Sequence, residues 1–453
     1  MHLSRLLFFI VILLTIISCN EDEHFTTDPN FSLTFSTDTI AFDTLFTGFG
    51  STTKQLKVKN TSADAVNISH LYLQNSESPY RLNVNGIQSN DLMDIILDGK
   101  DSLFIFIEVS LDPKNEDAPR LLKDQLKFEL NGQLQEVVLE TFAQDVYVVD
   151  ADVSVNTVWT GDRPYLLTKS VWIDEGIDLL VGEGTKVYCK KNAALHVKGN
   201  LEVRGSFQRP VYFGSSRLEG LYDNVPGQWD GIYFYDESTT KFLSHFTVEN
   251  GINGLNFTKT SLNNNPITIE YGIIRNFTGK GLFASNSTIV AHDLLITNCG
   301  GECVRFEEEG TYLISQSTVY NSWFYSIRST AGIYYNGIGE NDLTISNSII
   351  WGSRTNELEL VESSGNVTVQ NSLLKLGNSG QSNYASELTD CLFNEDPDFF
   401  DLEELNFTLK DQSPAINNGS REFMSDYFFD LAGNRRDSDI APDMGCFEFS
   451  EIE

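Results

Sequence analysis

The chain has 453 residues and carries 31 Lys and Arg against 64 Asp and Glu, a formal charge of −33. Nucleic acid is excluded as a partner, because that binding is driven by Lys and Arg at phosphates. A polyuronate or sulfated glycan would need calcium or a local basic patch to approach, and the scattered histidines stand at no zinc-ligand spacing to the cysteines, so no metal site is expected.

Residues 1–19, MHLSRLLFFIVILLTIISC, join a basic start to an apolar run of about a dozen residues, the pattern of a secretory signal. Ile16-Ile17-Ser18-Cys19 resembles the lipobox of bacterial lipoproteins, in which the cysteine becomes the lipidated first residue of the mature chain. The acidic run Asn20-Glu21-Asp22-Glu23 resembles the surface-export signal of lipoproteins in Bacteroidota. These resemblances imply a lipid anchor at Cys19, a tether over residues 20–27, and an outer-membrane protein exposed at the cell surface.

Residues 28–148 read as about seven short strands at sandwich-like spacing, among them KQLKVKN, VNISHLYL, SLFIFIEVSL and QEVVLETF. DTIAFDTLFTGFGS followed by LKVKNTS resembles the immunoglobulin-like modules that precede β-helices in Bacteroidota lipoproteins. The expected role is a spacer.

Residues 149–449 form a different unit. GTKVY, ALHVKGNLEVRGS and PVYF resemble the opening coils of a right-handed parallel β-helix, and Trp229-Asp230-Gly231-Ile232 resembles the phrase that starts its regular rungs. From Phe242 to Leu374 a phrase then recurs as HFTVEN, YGIIRN, DLLITN, QSTVYN, NSIIWG and NSLLKL. Its central residues Val248, Ile274, Ile296, Val319, Ile350 and Leu374 are 26, 22, 23, 31 and 24 apart. A second phrase follows most of these (GLNF, GLFA, CVRF, SIRS, ELEL), and a third precedes most (ITIEY, TIVAHD, YLISQ, LTISN, VTVQN). Three short strands per repeat of roughly 20 to 30 residues predict a β-solenoid. The expected fold is all-β, a right-handed three-sheet parallel β-helix preceded by an immunoglobulin-like sandwich.

Period-2 alternation sets the facing. In the third phrase Ile267/Ile269, Ile289/Ala291, Tyr312/Ile314, Leu343/Ile345 and Val367/Val369 point inward. In the second phrase Leu255, Leu282, Val304, Ile327 and Leu358 do so, leaving Asn256, Phe283, Arg305, Arg328 and Glu359 outside. The first phrase carries adjacent aliphatics (Ile273/Ile274, Ile349/Ile350), and its facing stays open. Gln316, Asn347 and Asn371 suit a tight corner. The closing motifs Asp396-Pro397-Asp398-Phe399, Ser413-Pro414-Ala415-Ile416, Asp430-Leu431-Ala432-Gly433-Asn434-Arg435 and Asp443-Met444-Gly445-Cys446-Phe447-Glu448 together resemble the choice-of-anchor Q type C-terminal module of bacterial surface β-helix proteins. Asn417-Asn418-Gly419 departs from that family's usual text.

The second-phrase groove is where several enzymes of this fold work, so its outward residues are the candidate site. Arg305 and Arg328 on neighbouring rungs suit a carboxylate or phosphate, or else pair with local acids, and Phe283 offers a stacking face. The long fourth gap places an insertion at AGIYYNGIGEND, so Tyr334 and Tyr335 are expected beside the two arginines as one ligand patch. Glu307-Glu308-Glu309 offers the oxygen ligands a calcium ion takes, or forms a solvated loop; no other cofactor is expected. Cys299 and Cys303 either pair across Gly300-Gly301 or pack inward. The coils hold no Asp-Asp pair for acid/base work on a glycan. The favoured reading is a non-catalytic module that binds a polysaccharide or another envelope protein; the alternative is a polysaccharide lyase or glycosidase working in the same groove.

Overall fold

The computed structural model describes residues 24–260, 266–339, 341–361, 365–424, 428–438 and 440–450. Its described residues fall into two units that divide between Gln144 and Asp145. In the first, strands such as Ser102–Val109 and Arg120–Leu130 alternate buried and exposed positions. Each therefore presents one apolar face, and two five-stranded sheets close on each other to bury it. Leu56, Val58, Ile105 and Ile107 from one sheet meet Leu126, Phe128, Val137 and Leu139 from the other, all fully buried. Pairing is antiparallel except where Gln133–Gln144 runs parallel to Thr39–Phe46 and at an isolated parallel bridge between Phe25 and Ala65. This is the expected sandwich.

The second unit is the right-handed β-helix, with every rung paired in parallel to the next. The third-phrase sheet runs from Thr157–Trp159 through Asp178–Gly182 and onward through Asn366–Gln370 to Leu388–Thr389. The first-phrase sheet already begins at Tyr147–Val149, paired with Tyr165–Leu167, and ends at Leu392–Phe393. The second-phrase sheet runs from Val171–Ile173 through Ala194–Val197, Gly231–Phe234 and Leu255–Thr258 to Leu358–Leu360. Inward residues of all three form one apolar column, and each fully buried aliphatic there contributes roughly 1.5–3 kcal/mol. The third-phrase inward set is in that column as expected, Val367 only partly buried.

One residue turns the chain from the third-phrase strand into the first-phrase strand. His245, Tyr271, Asp293, Gln316, Asn347, Asn371 and Asp390 stack at this corner with φ between 45° and 52°. That left-handed conformation favours Asn and Asp, which explains why the corner is polar although it is largely covered.

The covering comes from the C-terminal segment. Phe399–Asp401 pairs with Asn406–Leu409, and Phe399, Phe407, Leu409, Met444 and Cys446 pack onto Leu295, Ile349, Trp351 and Leu373 on the outside of the first-phrase sheet. Meanwhile Ile274, Ile296, Val319 and Ile350 face the inner column. Both faces of this sheet are buried, which resolves the doubled aliphatics. Arg436, fully buried, locks the segment down. It donates to Asp293 Oδ1 at the corner (2.5 Å from Nη2), to Glu448 Oε1 (2.7 Å) and to the Gly445 carbonyl (3.0 Å). Asn347 exchanges two hydrogen bonds with the Ser420 backbone. Asp430 accepts from the amides of Ala432, Asn434 and Glu448, so the closing motif is held by its own carboxylate.

One rung differs from expectation. After Val304–Ser315 the second-phrase strand is Ile333–Asn336, in register with Val304 before it and Leu358 after it. The residue that faces inward is therefore Ile333, and Ile327 is 99% exposed. The excess chain lies before the strand, over residues 322–332, and not in 331–342. Cys299 and Cys303 are both buried and unpaired.

Candidate functional site

The outward row of the second-phrase sheet is continuous. Register runs Trp172, His196, Tyr233, Asn256, Phe283, Arg305, Tyr334, Glu359. At about 4.8 Å per rung the row is roughly 35 Å long. Its rung spacing is close to the length of a pyranose ring.

The row opens with an aromatic platform. Trp172 stacks on His196 (4.3 Å between centroids) and on Tyr235 (5.3 Å), and His196 stacks on Tyr233 (5.5 Å). The Tyr235 hydroxyl lies 2.9 Å from His196 Nδ1. Burial lowers the His196 pKa against the pull of Asp230 and Asp152, so the ring is neutral at physiological pH and acts as a flat face. In the middle Asn256 is buried, its amide donating to the carbonyls of Ile232 and Gly254.

Cations lie over aromatic faces along the same row: Lys198 over Trp172 (5.6 Å), Lys280 over Phe283 (4.7 Å) and Arg305 over Tyr334 (4.3 Å). Each contact contributes about 0.5–1 kcal/mol at such partly exposed sites. Arg305 also donates from Nη1 to Glu302 (2.9 Å) and from Nε to Glu307 (2.8 Å). Burial works against its charge, but Glu307 and Glu302 outweigh that and raise its pKa, so it is a fixed cation.

Of the expected patch, Phe283, Arg305 and Tyr334 come together on consecutive rungs. Two members do not join them. Arg328 lies under the surface, its guanidinium paired with buried Glu357 (2.9 and 2.5 Å) and with the carbonyls of Asn321 and Thr330. It stabilises the 322–332 insertion and presents nothing to a ligand. Tyr335 points into the inner column, fully buried, with its hydroxyl on Asn341; alternation sends Tyr334 out and Tyr335 in. Glu359 ends the row, exposed. Glu307 is taken by Arg305 and Glu308 by Ser285 and Asn286. Among the described residues no cluster of three or more His, Cys, Asp or Glu is placed to hold a metal ion. Cys19 lies outside the described residues. Trp172, His196, Tyr233 and Tyr235 were missed, although VWI, ALHV and GIYF carry the same alternation as the later second phrases.

A family model described as a right handed beta helix region matches residues 216–374. No curated protein matches. Among solved structures, the chain is similar over 27% of its length to a family 123 glycoside hydrolase from Clostridium perfringens, at 5% identity and a TM-score of 0.19, and spans about a quarter of that enzyme (26%). It is also similar over 28% of its length to an ASH/PapD-like domain of human CEP192, at 12% identity and a TM-score of 0.19, covering 96% of that domain.

Proposed function

We propose that this protein is a non-catalytic glycan-binding protein of the cell surface, anchored in the outer membrane through a lipid on Cys19. The polysaccharide lies along the outward row of the second-phrase sheet, where Trp172, Tyr233, Phe283 and Tyr334 present aromatic faces to sugar rings. Lys198, Lys280 and Arg305 supply donors for ring and hydroxyl oxygens. The observation that carries this reading is the row itself, in which Trp172, His196 and Tyr233, and after Asn256 then Phe283, Arg305 and Tyr334, stand on consecutive rungs. A lyase would need Arg305 as a base, yet its two carboxylate partners hold the proton more tightly than in a free guanidinium.

A panel of polysaccharides assayed for both binding and turnover tests the proposal. Retention of at least one polymer is expected, without unsaturated products in the ultraviolet and without new reducing ends. Release of either product class would favour the enzyme reading. Absence of any retention would remove the glycan.

A further inference from the structure

The C-terminal segment covers the first-phrase sheet around Leu295, Ile349 and Leu373. On earlier rungs the same outward face carries Tyr212, Glu249 and Arg275, and these open into a cavity of about 420 Å³. Its walls are the segment bearing Arg217, Asp223 and Asn224 and the turn at Glu404-Leu405. Glu249 is only 6% exposed. One of its carboxylate oxygens accepts from the Tyr212 hydroxyl at 2.9 Å and the other from Arg275 Nε at 2.6 Å, so the group is held rigid. The Arg217 guanidinium lies 3.4 Å from the Tyr222 ring centre. Tyr325 of the 322–332 insertion reaches this rim, its hydroxyl donating to the Asn224 carbonyl at 3.0 Å. Phe324, 74% exposed, stacks on Tyr325 at 4.3 Å.

The charges decide the ligand class. Arg217 and Arg275 alternate with Asp223, Glu249 and Glu404 around one small space. An anion there meets carboxylates, and a cation meets guanidinium groups. A hydroxyl donates and accepts at once, and so satisfies both signs. The volume falls in the range of about 300–1,000 Å³ typical of small-ligand sites. We infer that this cavity binds the uncharged terminal sugar of a glycan chain, with Glu249 and Arg275 as a fixed pair of hydroxyl partners. It shares the ligand class proposed for the second-phrase row but none of its residues, so either assignment stands without the other.

Titration calorimetry of the full protein with D-glucose, D-galactose, D-mannose and L-rhamnose, and with charged D-glucuronate and D-glucosamine, tests the inference. At least one neutral sugar is expected to bind, and neither charged one more tightly. Arg217→Ala should weaken that binding about tenfold, a loss of ~1.4 kcal/mol. The Arg217 side chain is partly exposed and its partners Glu219 and Tyr222 are close in the chain, so the fold is retained. Glu404→Gln, on an exposed turn, is a second variant with the same expectation. Val155→Ala, at an exposed side chain outside both sites, should leave monosaccharide binding unchanged. Failure of every sugar to bind the parent, preference for a charged sugar, or parental affinity in both variants would overturn the assignment.

Discussion

Two of the three outward faces of the β-helix share a strand type and differ in what meets them. On the first-phrase sheet the outward positions Leu295, Ile349 and Leu373 are apolar and lie under the C-terminal segment. On the second-phrase sheet the corresponding positions are Phe283, Arg305 and Tyr334, each half-buried. The lesson is that a parallel strand states in its own residues whether a second layer covers it. Two adjacent aliphatics mean a lid; alternation with aromatic or charged residues means an open face.

That comparison is sharpest where it can be broken. Ile333→Asp would place an unpaired charge in the inner column between Val304 and Leu358, and should cost several kcal/mol in denaturant titration. Arg436→Ala leaves Asp293 and Glu448 buried without their cation, and should cost about 3–5 kcal/mol. Limited proteolysis should then release the segment beyond Phe393 first.

A smaller effect follows from pH, because the covered corner holds three linked groups. Burial pushes Glu448 up to about 8 from 4.5 despite Arg436, so its contribution is present below 4.5 and is lost as pH rises to about 8. Burial disfavours the His292 cation, but hydrogen bonds to Asp293 and Glu270 outweigh it and raise the pKa above 6.5; that stability too is lost as pH rises through the folded value. Glu270 is opposed by burial yet lowered below 4.5 by His292 and Ser244, so its contribution is lost as pH falls. The melting temperature should therefore peak near pH 4.5 and fall toward alkaline pH, as a series of thermal melts would show.

The smallest effect is expected at Ile327→Asp. The residue is almost fully exposed, and the change should stay within about 0.5 kcal/mol. Damage equal to that of Ile333→Asp would mean that the rung is misplaced.

The contrast also marks what the sequence made legible. Period and alternation identified the three sheets, the third-phrase inward set and the outward positions of Phe283 and Arg305, because each depends only on neighbours within one strand. Register across an insertion was not legible. SIRS and GIYY both place an aliphatic at the start of a strand-like phrase, and only stacking on Val304 and Leu358 chooses Ile333. The fate of Arg328 was equally hidden, since its partner Glu357 is 29 residues away and the pair exists only once the rungs close. The same holds for Arg436 and Asp293, 143 residues apart.

The most direct test of the open face is affinity electrophoresis of the parent and of the Phe283→Ala/Tyr334→Ala double variant through gels holding each polysaccharide that the parent retains. Both side chains are half-buried and outward, so the double variant should melt close to the parent. Retardation should be lost in the double variant and kept in Ile327→Asp. Unchanged retardation of a folded double variant would contradict the assignment of the glycan to this face.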